Sequence, residues 1–352
     1  MDLTLFDFDL PEHLIALRPV EPRETARLLV VHGDGRLEDR HIFEVPELLS
    51  AGDVMVFNDT RVLPAALKAI RPARDPSGRD VEVTINLVEP AGKADSWNAL
   101  ARPGKRLRVG DQLMIADDFQ AEITSKRDDG QIGLVFQYAS GELEAALERY
   151  GNMPLPPYIA RRRPADAQDK DHYQTRFASD KAASVAAPTA GLHFDEALLA
   201  RIDAAGIERE MVRLHVGLGT FAPLSEDHWQ AGKLHQEWRR IEATTASKLN
   251  KARASGHRCV PVGTTAMRTL ESAVSSGGVI HAEAGQTDIF IRPGDPVRAT
   301  DGLLTNFHLP KSSLFMLVSA LMGTNVMQAA YAHAIANEYR FYSYGDACLL
   351  LP

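Results

Sequence analysis

Cysteine is almost absent from this chain: Cys259 and Cys348 are the two in 352 residues. They stand far apart, and neither belongs to a pair with metal-ligand spacing. That argues against a zinc site and excludes a disulfide framework. Cys259, in "HRCVPVG", reads as a small residue buried in a strand. Long apolar runs are missing too. The longest, Leu314 to Met322, is about half of the ~20 residues that span a bilayer. The start, "MDLTLFDFDLPEHL", carries acids where an export signal carries bases. These absences predict a cytoplasmic protein with no membrane association. Excess positive charge is lacking as well, the net charge being −8. Indiscriminate binding of nucleic acid is disfavoured, although a local basic patch can still hold a phosphate backbone. There is no fixed-period repeat, no low-complexity segment, no G-x-G-x-x-G and no P-loop.

What remains has the composition of an ordinary globular protein, 45% hydrophobic and 24% charged. Its length suggests about two domains at roughly 150 residues each. Near the N-terminus "ARLLVVH" and "DVMVFND" read as strands, the first running into a "GDG" hairpin turn. From Ala65 the texture changes to short alternating segments, "VEVTINLVE", "SWNALAR", "FQAEITSK" and "QIGLVFQY", with no helix between them. That is the pattern of a small antiparallel barrel. "GELEAALERYG" predicts a short helix, and the prolines of "NMPLPPYIARRRPAD" predict a linker. Beyond it helix and strand alternate. Asp195 caps "EALLARIDAAG"; strands follow at "EMVRLHVG", "RCVPVG" and "TDIFI", and helices at "SKLNKARASG", "AMRTLESAV" and "SSLFMLVSALMG". The expected architecture is a mixed α/β domain, residues 1–64 and 152–352, interrupted by a small antiparallel β-barrel domain, residues 65–151.

Three stretches share one design, in which small residues lead into a helix: "PTAGLHF", "PVGTTAMRTLES" and "TNFHLPKSSLF". Helix starts present unpaired N–H groups that attract carboxylates or phosphates. Each alone reads more readily as a capped helix; three together in an α/β fold point to a ligand site at strand ends. His193 lies in the first stretch, and His308 and Lys311 lie in the third, where Ser312 can cap. His215 shares a strand face with Arg213, opposite Val212, Leu214 and Val216, and precedes "GLGT", whose glycines let backbone amides approach a ligand. Arg268 and Glu271, three apart on a helix, form either a surface pair or part of the site. "ARPGKRLRVGD" and "RRR" at Arg161 to Arg163 are basic runs that serve as solvated faces or as phosphate contacts.

Eight stretches, in order along the chain, resemble one known family. They are "FNDTRVLPA", "PLPPYI", "SVAAPTAGLHF", "HVGLGTF", "VGTTAMRTLES", "TDIFIRPG", "TNFHLPKSSL" and "YRFYSYGDACLL". They are similar to the motifs of the S-adenosylmethionine:tRNA ribosyltransferase-isomerases of queuosine synthesis. Departures fall in connecting regions, "RFASDKAA" and "AGKADSWN". The resemblance implies an α/β domain with an inserted barrel and a cytoplasmic enzyme. Its substrates would be S-adenosylmethionine, consumed as ribosyl donor, and a tRNA with a GUN anticodon bearing 7-aminomethyl-7-deazaguanine at the wobble position. The product would be epoxyqueuosine, with adenine and methionine released. No metal and no separate cofactor are implied, and a monomer is expected.

That chemistry needs a base for the C5′ proton beside the sulfonium, a proton for the departing adenine, and partners for the methionine carboxylate and ammonium. His193 and His215 are the candidates for proton transfer. Asp59 and Arg61 of "NDTR" would position ribose hydroxyls or the incoming amine. Thr264, Thr265 and Arg268 suit the carboxylate, and Glu271 or Asp288 the ammonium. Thr189, Gly191, Gly217, Gly219, Asn306, His308 and Lys311 complete the expected S-adenosylmethionine site. Arg102, Lys105, Arg106, Arg108, Arg161, Arg162 and Arg163 are expected to hold RNA. Two other classes stay open at this stage: a nucleotide hydrolase that uses the same helix starts without RNA, and a non-catalytic RNA-binding protein built on the barrel.

Overall fold

The computed structural model describes residues 3–92, 95–127, 130–139, 141–179, 183–217 and 226–352. The chain divides into two compact units. One comprises Met1–Thr60, Thr175–Ala182 and Pro188–Pro352, the other Arg61–Gln174 and Ala183–Ala187.

The first unit opens with β1 (Arg27–His32), β2 (Leu37–His41), α1 (Val45–Leu48) and β3 (Val54–Asn58). β1 and β2 form the expected hairpin, and Gly35 in its turn has φ +87°. The second unit begins with β4 (Arg61–Val62) and β5 (Ala66–Arg71). It continues through β6 (Val81–Pro90), β7 (Ser96–Arg102), β8 (Gln112–Ala116), β9 (Phe119–Lys126) and β10 (Gln131–Tyr138). Six of these, β5 to β10, close into an antiparallel barrel in the order β10-β7-β6-β5-β8-β9. Their alternation fills its interior. In β6, Val81, Val83, Ile85 and Leu87 are buried, while Glu82 and Thr84 face out.

α2 (Leu143–Tyr150) follows the barrel, and Asn152 then exchanges both backbone hydrogen bonds with Ala66, at 2.8 and 3.1 Å. The proline-rich stretch that the sequence suggests as a linker is therefore tied to the first residue of β5 and buries Met153 and Leu155. The prolines still prevent a long helix. α3 (Pro157–Ala160) is one turn with proline at its first position, and α4 (Asp169–His172) is equally short. β11 (Ala183–Ser184) pairs in parallel with β4.

The first unit resumes with a 3₁₀ turn at Thr189–His193 and α5 (Glu196–Ala204), whose start is capped by Asp195 Oδ1 accepting from Leu198 N at 2.8 Å. Then come β12 (Glu208–Leu214), α6 (Glu226–Ala231), β13 (Lys233–Ile241), α7 (Ala243–Ala254), β14 (Cys259–Pro261) and α8 (Thr264–Glu271). β15 (Glu283–Ile289), β16 (Leu303–Asn306), α9 (Ser313–Met322), α10 (Thr324–Ala336) and β17 (Ala347–Leu351) complete it. Two sheets result: β14-β3-β12-β13-β15, with β14, β3 and β12 parallel, and β16-β17-β1-β2. Together with the barrel, this is the mixed α/β domain with an inserted antiparallel barrel expected from the sequence.

β1 and β3 are buried on both faces, and period-two alternation divides their side chains between different cores. Leu28, Val30, Met55 and Phe57 share one cluster with Leu304 and Leu349. Leu29 and Val31 enter an aromatic-rich cluster with Phe307, Phe315, Tyr331 and Phe341. Val54 and Val56 enter a third, with Val212, Leu249 and Leu270. Both cysteines are buried, Cys259 in β14 and Cys348 in β17, and burial raises both thiol pKa values well above the ordinary range. Among the described residues no single helix is long and apolar enough to cross a membrane; α9 and α10 bend by 115° at Gly323.

Gly263, between β14 and α8, has φ 90° and ψ 152°, a region essentially reserved for glycine. A Cβ there would meet Ala190 at an ordinary 3.5 Å, so backbone strain and not crowding is the constraint. Gly263→Ala should lower the unfolding free energy by about 1–3 kcal/mol, read as a shift of the urea midpoint.

Candidate active site

Three parallel strands place their carboxyl ends on one side of the five-stranded sheet: β3 leading to Asp59, β12 leading to His215 and Gly217, and β14 leading to Gly263 and α8. Ligand sites of α/β sheets lie at such ends. As β3 ends, the Asn58 side chain continues its pairing. Nδ2 donates to Leu214 O at 3.0 Å, and Oδ1 accepts from Leu214 N at 3.1 Å and from Thr60 N at 3.2 Å. The amide thereby acts as one more peptide of the ladder.

His193, at the end of the 3₁₀ turn, is 6% exposed. Asn306, the last residue of β16, donates from Nδ2 to His193 Nε2 at 3.3 Å, and its Oδ1 accepts from Thr189 Oγ1 at 2.9 Å. This arrangement leaves Nε2 as the acceptor nitrogen and puts the ring proton on Nδ1. Burial, reinforced by the Arg340 and Arg23 guanidiniums, pushes the imidazole pKa down to about 4. Thr305 lies on the opposite face of β16, where its Oγ1 is 3.1 Å from His308 Nε2. His308 N donates to Tyr331 Oη at 2.9 Å, and burial holds its imidazole pKa at about 3. Adjacent residues of β16 thus serve opposite faces of the strand, Asn306 the His193 side and Thr305 the His308 side.

Gly263 N donates to Leu304 O at 2.7 Å, and Gly263 lies against Ala190, so the "PTAGLH", "VGTTAMR" and "TNFH" stretches meet. α8 buries Thr264, Thr265, Arg268 and Glu271. Arg268 and Glu271 do not form the surface pair that their spacing allows. Arg268 Nη1 pairs with Glu237 Oε2, and Glu237 Oε1 accepts from Gly217 N at 3.1 Å, which ties the end of "HVG" to α8. Arg268 Nε and Nη2 and Thr265 Oγ1 are buried with no hydrogen-bond partner among the described residues. Glu271 accepts from Arg298 N and Ala299 N at 2.9 Å each and from Thr300 Oγ1 at 2.7 Å. It pins the loop before β16.

Other candidates have partners of their own. Asp59 takes a bidentate pair from Arg213, at 2.9 and 2.6 Å. His215, 2.9 Å through its backbone N from Trp238 O, leans its ring on the indole at 4.7 Å between centroids. Burial, followed by the nearby Arg213 charge, lowers its pKa. Asp288 pairs with Lys233 at 2.8 Å, and Lys311 with Asp7 at 2.7 Å. Gly191 admits the Phe177 ring, which a Cβ would meet at 2.7 Å. Here the small residue accommodates another part of the protein. Gly219 lies outside the described residues. Among those described, no group of three or more His, Cys, Asp or Glu side chains could hold a metal ion.

In the second unit, Arg61 pairs with Glu148 at 2.6 Å. Arg102, Lys105, Arg106 and Arg108 are exposed at the end of β7 and in the turn after it. That turn is braced from below: Lys126 Nζ donates to Gly104 O at 2.8 Å and Leu107 O at 3.1 Å, and Arg74 donates to Arg106 O at 2.8 Å. Arg161 and Arg162 are exposed. Arg163 instead grips the fully buried Asp169 with two bonds of 2.7 Å.

Sequence reasoning missed Glu237 and the Arg213 partner of Asp59. The signal for Glu237 was period-two spacing back from the buried Ile241, which puts Glu237 and Arg239 on the inner face of "EWRRI".

The model of the family described as queuosine biosynthesis protein matches residues 3–350. An S-adenosylmethionine:tRNA ribosyltransferase-isomerase of Hyphomonas neptunium is 66% identical over 352 residues, covering all of both chains. One from Maricaulis maris is 54% identical, covering 99% of each. A crystal structure of S-adenosylmethionine tRNA ribosyltransferase from Thermotoga maritima, 32% identical, covers 99% of this chain and 100% of its own at a TM-score of 0.54. With a match running from residue 3 to residue 350, the chain belongs to the S-adenosylmethionine:tRNA ribosyltransferase-isomerase family of queuosine biosynthesis.

Proposed function

We propose that the buried site of the first unit performs the family's reaction. The chain transfers and isomerises the ribosyl moiety of S-adenosylmethionine onto 7-aminomethyl-7-deazaguanine in tRNA, giving epoxyqueuosine and releasing adenine and methionine. S-adenosylmethionine is consumed as a substrate, so it is no cofactor. The observation that carries this reading is the family match over residues 3–350. The finer reading is ours: the RNA has a GUN anticodon, and the enzyme works as a cytoplasmic monomer. The α/β part, 1–64 and 152–352, does the chemistry, while the barrel part, 65–151, holds RNA with the adjoining arginines.

His193 and His215 are the proton-transfer pair in this reading. Both are kept neutral, which suits a cationic sulfonium substrate and leaves each ring able to accept and to donate a proton. Asp59 is neutralised by Arg213 and acts as an acceptor for ribose hydroxyls or the amine. Arg61, in the second unit, is paired with Glu148. Thr189, Gly191, Gly217, Gly219, Asn306 and His308 shape the pocket; Thr264, Thr265 and Arg268 take the methionine carboxylate. Glu271 holds residues 298–300, while Asp288 and Lys311 are paired with Lys233 and Asp7.

Incubation with S-adenosylmethionine and tRNA bearing the precursor base should move ribose label to RNA and release adenine-ring label as free adenine. Transfer of methyl label to the RNA would overturn the assignment.

His193→Asn should lower kcat at least a hundredfold, within the 10²–10⁴ typical of a proton-transfer group. The parent's stability should also depend on pH in a defined window. The folded His193 pKa is about 4, against about 6.5 unfolded. Protons then bind preferentially to the unfolded chain, so stability is intact above about 6.5 and declines as pH falls toward 4. Urea unfolding of His193→Asn should show a shallower decline over that window.

Lys105 and Arg106 are exposed on the braced turn. Each phosphate that a cationic side chain neutralises contributes about 0.7–0.9 to the log–log salt slope of binding. Replacing both residues by alanine should weaken tRNA binding and reduce the slope by about one to two. S-adenosylmethionine affinity should stay unchanged in the same protein. A double variant with the parent's tRNA affinity and slope would make this turn a solvated face only.

A further inference from the structure

We infer that Glu237 receives the α-ammonium of S-adenosylmethionine, beside Arg268 and Thr265 on its α-carboxylate; this rests on the substrate reading above. The amino-acid end of that substrate is a zwitterion, so it needs an anion and a donor set a few ångströms apart. The two acids that the sequence suggested for the ammonium are committed elsewhere. Glu271 is turned toward residues 298–300 by three donors, and Asp288 faces the exposed Lys233. Glu237 is 6% exposed and stands directly on Arg268.

The donor side is equally specific. Arg268 is 4% exposed and uses Nη1 on Glu237, while Nε and Nη2 have no partner among the described residues. Those two nitrogens form one edge of the guanidinium fork, the edge that binds a carboxylate with two parallel bonds. Thr265, 8% exposed, lies three residues earlier on the same helix face, and its Oγ1 is likewise without a partner among the described residues. Buried donors of this kind are costly when nothing accepts from them. A carboxylate on this edge satisfies all three.

Glu237 is then the adjacent negative pole. Its two oxygens point to different neighbours, Oε2 to Arg268 Nη1 and Oε1 to Gly217 N, which sets its charge beside the open edge of the Arg268 guanidinium. The Gly217 bond also means that the residue gripping the amino-acid tail holds the start of the "GLGT" loop. Among amino-acid-bearing nucleosides the site selects for both charged groups at once. Glu237 therefore contributes specificity, in contact with substrate.

The test uses the full chain and non-reactive thioethers that differ only in the tail. These are S-adenosylhomocysteine, its desamino analogue, and 5′-methylthioadenosine, which lacks both charged groups. Calorimetry on the parent should rank S-adenosylhomocysteine well above the other two. Glu237→Gln should weaken S-adenosylhomocysteine about ten- to a hundredfold, as expected for one bond to a charged group. It should leave 5′-methylthioadenosine and the desamino analogue at the parent's affinities. Should Glu237→Gln fail to fold, Glu237→Asp, which keeps the charge on a shorter arm, carries the same comparison with a smaller loss. An equal loss for all three ligands, or none, would overturn the role of Glu237. If the parent itself does not distinguish S-adenosylhomocysteine from 5′-methylthioadenosine, the substrate reading of α8 fails instead. If it does, and Glu237→Gln retains the full discrimination, only the Glu237 inference fails.

Discussion

The side-chain amide of Asn58 lets a sheet strand end without ending its pairing. β3 is the hinge of the first unit's architecture, bonded in parallel to β14 on one side and β12 on the other. Where its backbone leaves the sheet, the amide makes the two bonds to Leu214 that a further residue of β3 would have made. β12 therefore stays in register up to the point where His215 and Gly217 emerge, while the main chain is released toward Thr60 and the second unit. An aspartate could accept from Leu214 N but not donate to its carbonyl. The position of the site at the strand ends follows from this substitution of side chain for backbone.

Several acids of the first unit are answered by cations. Asp59 is answered by Arg213, Asp53 by Arg258, and Glu210 by Lys248. The histidines differ. His193 and His308 are buried without an acid among their hydrogen-bond partners, and burial is the first cause of their lowered pKa values. The neutral imidazoles put no positive charge at these buried positions. The guanidiniums of Arg340 and Arg23 add to the effect at His193.

Much of this was legible from residue pattern. Four of the six barrel strands could be read, β6 most clearly because its inward and outward residues alternate, while β5 and β8 went unread; α5 could be read because Asp195 and Gly206 mark its ends. The meeting of "PTAGLH", "VGTTAMR" and "TNFH" could be expected from their shared design. β13 went unread because its inner face carries Glu237 and Arg239, charges that disguise a buried stripe. β17 went unread because five nearly continuous apolar residues have no period to detect. α10 has too weak an apolar face to stand out; neighbouring aromatic residues, not its own pattern, hold Tyr331. Partner choice was beyond sequence altogether. Nothing local says that Arg163 belongs to Asp169, or that Glu271 faces residues 298–300, because those pairings depend on the folded path.

The two thiols acquire a significance that their chemistry alone does not give. One lies in each sheet of the first unit, Cys259 in β14 and Cys348 in β17, both buried and both with burial favouring the unreactive protonated form. Oxidants and alkylating agents reach them only through openings of the sheet that contains them. Each sulfur thus reports on the packing of its own sheet, and the two sheets are joined where Gly263 N donates to Leu304 O.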